Sequence, residues 1–275
     1  MNSDHGTTVI LGGTGKTGRR IAHRLRARGL PVRSASRSGA PRFDWNDPTT
    51  WAPILEGAHS LYIAYPPDLA APEAQAHIQA MAEQAVTKGI RKIVLLSGRG
   101  EPQCYPAERS VRESGAAFTI LRCAWFAQNF SEGQLLPAVL DGRVAFPAGD
   151  VAEPFVDLDD VADVAVDALT RPIHNGKLYE LSGPQLLTFA EAVGEVGKAL
   201  GRSIDYLPIS FTEYAQSLSQ FVPAEEVAFL TQLFEFVLDG HNAYLSDGVQ
   251  QALGRKPRAF GEFARDAAAA GAWQS

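Results

Sequence analysis

Ten residues near the start of the chain limit its architecture more than any others. Val9-Ile10-Leu11-Gly12-Gly13-Thr14-Gly15-Lys16-Thr17-Gly18 joins an apolar, β-branched run to a segment with Ile21 and Leu25 four residues apart. A spacing of four marks one face of a helix, so the stretch reads as strand, glycine turn, helix. Gly13, Gly15 and Gly18 make G-x-G-x-x-G, while Gly12, Gly15 and Gly18 make G-x-x-G-x-x-G. In this setting glycines allow a tight turn and close backbone approach, and the helix N-terminus offers free N–H groups to a pyrophosphate. A nucleoside-triphosphatase loop is excluded, because Gly18 precedes Arg19-Arg20 where Lys and then Ser or Thr are required.

The alternation continues through the first 125 residues. Strands are expected at Thr7–Leu11, Val32–Ser36, Ser60–Ala64, Ile93–Leu96 and Ala117–Leu121. Helices are expected at Thr17–Arg28, Pro48–Leu55, Pro72–Lys88 and near Ala107–Ser114, with Gly29 closing the first. Apolar strands alternating with helices predict a parallel sheet covered on both faces, and right-handed crossovers make it doubly wound. Past Ala124 the pattern turns mostly helical, with helices expected at Asp159–Leu169, Thr188–Leu200, Ser210–Ser219, Pro223–Leu238, Ser246–Leu253 and Phe260–Ala270. Thr188 with Glu191 three residues later forms a capping box. The fold class expected is therefore α/β. A nucleotide-binding core over residues 1–150, to which later segments return, carries a small helical substrate lobe over residues 151–275 that does not fold independently.

Composition removes several alternatives. Hydrophobic residues are 45% of the chain and its net charge is only −6, so disorder is excluded as the main state. Net acidity argues against a general nucleic-acid binder. No run of 18 apolar residues predicts a membrane span, and the first residues lack the basic and apolar regions of a secretory leader. Cys104 and Cys123 make neither a disulfide framework nor a zinc spacing, so no metal is expected. A cytoplasmic monomer or homodimer acting on a small molecule is the expectation.

Charge is unevenly distributed. From His5 to Phe43 there is no acid but nine bases: Lys16, Arg19, Arg20, Arg24, Arg26, Arg28, Arg33, Arg37 and Arg42. A dinucleotide site selective for NAD places Asp or Glu about 20 residues past the glycines, on the ribose hydroxyl. Here the second strand ends Ser34-Ala35-Ser36-Arg37-Ser38, with Arg33 and Arg42 nearby. A guanidinium among small hydroxyls suits a 2′-phosphate, so the residues favour NADP(H). Arg19, Arg24 and Arg28 read as exposed helix residues without a role.

Several stretches together resemble a family. The glycine turn, Ala35-Ser36-Arg37-Ser38, Phe43-Asp44-Trp45, Tyr65-Pro66-Pro67, Val94-Leu95-Leu96-Ser97 and Thr119-Ile120-Leu121-Arg122 are similar to the NmrA-like branch of atypical short-chain dehydrogenases. So are Trp125-Phe126-x-x-Asn129-Phe130 and Pro154-Phe155-Val156-Asp157, and Gly183-Pro184-x-Leu186-Leu187-Thr188 and Pro257-Arg258-x-Phe260 extend the likeness toward the C-terminus. Within the branch the chain is most similar to the ergot-alkaloid reductases of the festuclavine and agroclavine dehydrogenase type. The resemblance implies an NADPH-binding Rossmann fold. By position, Gly12, Gly13, Thr14, Gly15, Lys16, Thr17 and Gly18 would hold the pyrophosphate, and Ser36 and Arg37 the 2′-phosphate. Asp44 and Trp45 would border the adenine. Tyr65 and Pro66, at the end of the fourth strand, would lie with Ser97 toward the ribose and nicotinamide.

The catalytic residues are less defined. Typical short-chain dehydrogenases use Ser with Tyr-x-x-x-Lys, and this chain has no Tyr-x-x-x-Lys. Its nearest counterpart is Tyr105-Pro-Ala-Glu-Arg109, where Arg109 could act on Tyr105 and Pro106 argues against a helix running through Tyr105. Tyr105 is the catalytic candidate and also a pocket candidate. Trp125, Phe126, Asn129 and Phe155 join it because they follow the fifth and sixth strands, where open α/β sheets bind ligands. Asp157, Asp159 and Asp160 read as helix-start acids, and Cys104 as an inert thiol. Reducing an iminium needs a hydride but no proton, which fits the missing Tyr-x-x-x-Lys pair. Iminium substrates are therefore expected, and the family resemblance extends the expectation to quinone and enone types, with a non-catalytic NADP(H) sensor as the alternative. An epimerase acting on nucleotide sugars is disfavoured by the missing pair.

Overall fold

The run Thr7–Leu11 is extended because it is apolar and β-branched, and its last four residues are buried. In the computed structural model it is the first strand, β1, of a six-stranded parallel sheet; the model describes residues 6–274. Residues 1–5, which include most of the segment read above for a secretory leader, lie outside the described residues. The sheet continues with β2 (Val32–Ala35), β3 (Ala58–Ile63), β4 (Lys92–Gly98), β5 (Ala117–Cys123) and β6 (Lys177–Leu181). Its order is β2-β1-β3-β4-β5-β6, so the direction of chain progression reverses between β1 and β3. The helices α1 (Lys16–Ala27), α2 (Trp51–Leu55), α3 (Ala74–Thr87), α4 (Tyr105–Glu113), α5 (Leu158–Thr170) and α6 (Gly248–Leu253) belong to the same compact unit. Among the described residues that unit comprises 6–123, 158–181 and 248–255. Its sheet interior is aliphatic: Val9, Ile10, Leu11, Leu61, Ile93, Val94, Leu95, Ile120 and Leu121 have no exposed surface. The doubly wound α/β fold expected from the sequence is observed.

Among the described residues, 124–157, 182–247 and 256–274 form a second compact unit. Its core is aromatic, with Phe130, Phe146, Phe155, Phe189 and Phe260 packed at centroid distances from 5.0 to 6.1 Å. The helices Phe189–Leu200 and Phe211–Leu218 each begin with a capping box, Thr188 with Glu191 and Ser210 with Glu213. Two small ladders escaped the sequence reading: Arg143–Phe146 beside Asp205–Pro208 in parallel, and Ala152–Glu153 against Leu187–Thr188. Strands of two to four residues carry too little alternation to be seen in a sequence. Among the described residues no helix is long and apolar enough to cross a membrane.

Candidate functional site

The turn after β1 is shaped by its glycines. Gly12 has φ of +72°, a left-handed conformation that side chains resist. A Cβ on Gly18 would lie 2.2 Å from the Gly12 carbonyl oxygen, so only glycine lets the first turn of α1 press against this loop. The Gly15 N–H donates to the Gly12 carbonyl at 2.8 Å, and Thr14 and Gly15 face solvent. No side chain caps the start of α1, which leaves its first N–H groups for a ligand. Thr17 and Gly18 are buried. Burial, then the neighbouring Arg19 and Arg20, hold the Lys16 ammonium below its ordinary pKa.

Along the same edge, β2 is followed directly by Ser36 and Arg37. The nine bases of the opening segment have different fates. Arg24 pairs with Asp159 and Asp163 of α5, both at 2.7 Å, which corrects its reading as a helix residue without a role. Arg33 donates to the Ile54 and Glu56 carbonyls, Arg26 to Ser34, and Arg42 to Asp44 and Asp47. Arg37 is exposed and makes no hydrogen bond or ion pair among the described residues. Its guanidinium is open to an external anion, and no carboxylate beside it competes.

Asp44 is half-buried and its backbone carbonyl accepts from the Trp51 indole at 2.8 Å. Trp45 and Tyr65 are buried together, centroids 4.8 Å apart, in a cluster with Phe43, Trp51 and His77. The Tyr65 hydroxyl meets His77 Nδ1 at 2.7 Å. Burial, with Glu73 adding to it, pushes the phenol up to about 12. Tyr65 and the exposed Pro66 follow β3, the third strand in chain order, which corrects their assignment to a fourth.

At the ends of β4 and β5 the side chains are tied together. Ser97, 4% exposed, donates from Oγ to Glu108 Oε1 at 2.7 Å. Glu108, 2% exposed, takes both Nε and Nη2 of Arg122 at 2.8 and 2.7 Å. The Arg122 guanidinium carbon then lies 4.1 Å from the centroid of the Tyr105 ring. Arg109, the expected partner of Tyr105, is exposed instead. Tyr105 is also not a loop residue. It is the first residue of α4, with φ −63° and ψ −36°, and Pro106 sits in the first turn, where a missing N–H breaks no helical bond.

Beside this network lie Asp68, Glu101 and Cys104. Their ligand atoms fall within 4.8 Å of one another, making this the described cluster whose geometry could hold a metal. Burial, then the Asp68 carboxylate, pushes Glu101 up to about 8. Burial likewise raises Asp68 and the Cys104 thiol. Cys123 is fully buried and raised for the same reason, so neither cysteine is a ready nucleophile.

The remaining pocket candidates belong to the second unit. Trp125 is half-buried against Phe146, Phe189 and Phe234. Its indole nitrogen is buried with no hydrogen-bond partner among the described residues. Phe126 is half-buried and bridges Val156, and Asn129 begins the short helix Asn129–Glu132. Phe155 is 2% exposed, packed among core rings, and follows the Ala152–Glu153 ladder, which is outside the main sheet. Asp157 holds Gln128 at 2.6 Å and Arg258 at 2.8 Å, and Asp160 in the first unit pairs with Arg255 at 2.6 Å. These acids are structural ion pairs.

No family model matches the chain. It is 31% identical to the oxidoreductase YesF of Bacillus subtilis (strain 168), over 97% of this chain and 96% of that protein. It is also 30% identical to agroclavine dehydrogenase of Claviceps fusiformis, over 94% and 96% respectively. The chain belongs to the NmrA-like branch of the atypical short-chain dehydrogenases. Solved structures share the fold of this NmrA-like chain. The Citrobacter sp. triphenylmethane reductase complexed with NADP(H) superposes with a TM-score of 0.74 at 19% identity, covering 95% of this chain and 99% of that one. The Escherichia coli NADPH-dependent quinone oxidoreductase complexed with NADPH gives 0.77 at 20%, covering 94% and 99%. NmrA, a negative transcriptional regulator, gives 0.69 at 17%, covering 96% and 95%.

Of the residues that mattered here, Glu108, Arg122, Glu101, Asp68 and His77 were not singled out as site residues by sequence. The one signal was Arg122 itself, a charge near the end of an otherwise apolar strand. Its partner lies 14 positions away on a helix, and nothing local links them.

Proposed function

We propose that this chain is an NADPH-dependent reductase that transfers hydride to a small, flat substrate of the iminium, quinone or enone type. The observation that carries the reading is Arg37: an exposed guanidinium just past β2, with no partner among the described residues and no acid in its segment. The oxidoreductase names of its relatives and the NADP(H) bound in fold neighbours support it.

The residues present fit the cofactor. The loop from Gly12 to Gly18, with its exposed Thr14 and Gly15 and uncapped helix start, would receive the pyrophosphate. Arg37 and Ser36 would pair with the 2′-phosphate, and Asp44, Trp45, Tyr65 and Pro66 would border the adenosine and ribose. NADPH supplies the hydride when bound. The protein's share is to orient the two reactants and exclude water, for which the paired side chains at the ends of β4 and β5 are suited; the aromatic Trp125 and Phe126 and the amide of Asn129 are the proposed substrate contacts. In this reading the first unit is the cofactor domain.

Calorimetric titration with NADPH and NADH, on wild type and Arg37→Ala, tests the cofactor. Equal losses for both nucleotides in the variant would refute the assignment. Turnover of NADPH with iminium and quinone panels tests the chemistry, and silence on both would favour the second reading. That reading is a non-catalytic NADP(H) sensor, and one observation favours it: the Ser97 hydroxyl is spent on Glu108, with no Tyr-x-x-x-Lys partner.

A further inference from the structure

An exposed tyrosine at the start of a helix normally has freedom to rotate. Tyr105 is 37% exposed, yet one face of its ring is covered by a guanidinium that cannot move. Arg122 is fixed by two hydrogen bonds to Glu108, a planar fork on a planar carboxylate. Glu108 in turn is buried and receives the Ser97 hydroxyl. Ser97 and Arg122 are register partners across β4 and β5, so the whole assembly stands on two paired strands of a rigid sheet. Burying a carboxylate and a guanidinium is expensive, and a hydrophobic pair would hold the helix at lower cost. What the charged pair adds is a flat, directional support under one aromatic ring.

We propose that Ser97, Glu108 and Arg122 form a clamp that holds the Tyr105 ring as a stacking platform at the carboxyl edge of the sheet, selecting flat, conjugated ring systems as substrates. The inference rests on the reductase reading and deepens it. Arg122 is a positioning residue, acting through Tyr105. Tyr105 is the specificity-determining contact, and it works through its ring and not its hydroxyl. Because Glu108 neutralises the guanidinium, the free face of the ring carries no net repulsion toward a cationic ligand. The position fits: ligands of open α/β sheets bind beyond the carboxyl ends of the strands, and the start of α4 follows β4 there. Stacking on a preset ring is worth an aromatic pair, because no rotamer entropy is lost on binding.

The test compares 9,10-phenanthrenequinone, a flat three-ring probe, with methyl-1,4-benzoquinone, a single ring, in NADPH-dependent reduction. Tyr105→Leu and Arg122→Leu should each raise KM for phenanthrenequinone by about threefold to tenfold, the size of one aromatic pair, with kcat nearly kept. For methylbenzoquinone, KM should change less than about twofold. Tyr105→Phe should restore the low KM for phenanthrenequinone. Arg122→Lys, which keeps the charge but loses the planar fork, should fall between Arg122→Leu and wild type, and it serves if Arg122→Leu folds poorly. Equal KM changes for both quinones, or none, would overturn the platform. A large fall in kcat in Tyr105→Phe would also overturn it, by making the hydroxyl the functional group. If wild type reduces neither quinone, the reductase reading fails separately. The platform is then read from the dissociation constant of phenanthrenequinone by tryptophan quenching, and an unchanged value in Tyr105→Leu overturns it.

Discussion

The two ends of the sheet's carboxyl edge handle charge in opposite ways. Around β1 and β2 the groups are left open: Thr14, Gly15 and Arg37 face solvent, and Arg37 has no partner among the described residues. Around β4 and β5 the charges are buried and already answered, Glu108 by Arg122, while burial pushes the pKa of Glu101 up and so favours its neutral form. The difference teaches what each end is built for. An open cation would realise its energy only when an anion neutralises it. A closed network has been neutralised during folding, so its energy is realised in stability and shape.

If that contrast is right, substitutions at the closed end should be read in stability and those at the open end in affinity. The largest effect is expected at Glu108. Glu108→Gln leaves the Arg122 guanidinium without its counter-charge and should lower unfolding stability by about 3 kcal/mol in urea titration. A loss below about 1 kcal/mol would mean that the pair is not a closed network.

Glu101 gives the next effect, and it depends on pH. The unfolded carboxyl titrates near its ordinary 4.5 and the folded one near 8. Between those values the folded protein holds a proton that the unfolded chain has released. The contribution of this group to stability is therefore greatest below about pH 4.5, falls as pH rises, and levels off above about 8. Glu101→Gln removes that fall. Relative to wild type its stability advantage should grow as pH rises from 5 to 8, by about 1 kcal/mol per pH unit, measured by chemical denaturation at each pH.

At the open end, Arg37→Ala should weaken NADPH binding by about 1.5–3 kcal/mol, the range for a hydrogen bond to a charged group. NADH binding and unfolding stability should both stay within about 0.5 kcal/mol of wild type, as for a surface change that touches nothing. The smallest effect sharpens the boundary between the two ends. Ser97 stands among the cofactor residues implied by family resemblance, but its hydroxyl serves Glu108. Ser97→Ala should therefore cost about 1 kcal/mol of stability and leave NADPH affinity unchanged within twofold. A loss of affinity without a loss of stability would move Ser97 back to the open end.

Local features of the chain were legible wherever the physics is local. The strand–glycine–helix unit could be read because hydrophobic periodicity and turn chemistry act within a few residues. The capping box at Thr188 and Glu191 was equally plain, since both members lie on one turn. The missing acid after β2 was visible because it is a matter of composition. Reading failed where partners are distant. Arg24 looked like a solvated helix residue and pairs with acids 135 and 139 positions away. Arg109 looked like the partner of Tyr105 by spacing, while the sheet register brings Arg122 there instead. Phe155 looked like a pocket residue by its expected place after a strand, and it packs among core rings at 2% exposure.

By itself, then, the sequence determined a doubly wound α/β chain with a glycine turn between its first strand and helix, and with no acid where an NAD-selective site would place one. Those features depend on near neighbours and on residue type alone. Only the tertiary structure decided which of the nine bases stays open, which glutamate meets a cation, which is pushed toward its neutral form, and which side of Tyr105 is covered. Each of these depends on which side chains the parallel register and helix packing bring within a few ångströms, and on how much water that packing removes. Burial and charge pairing act across space, so one dimension of sequence does not hold them.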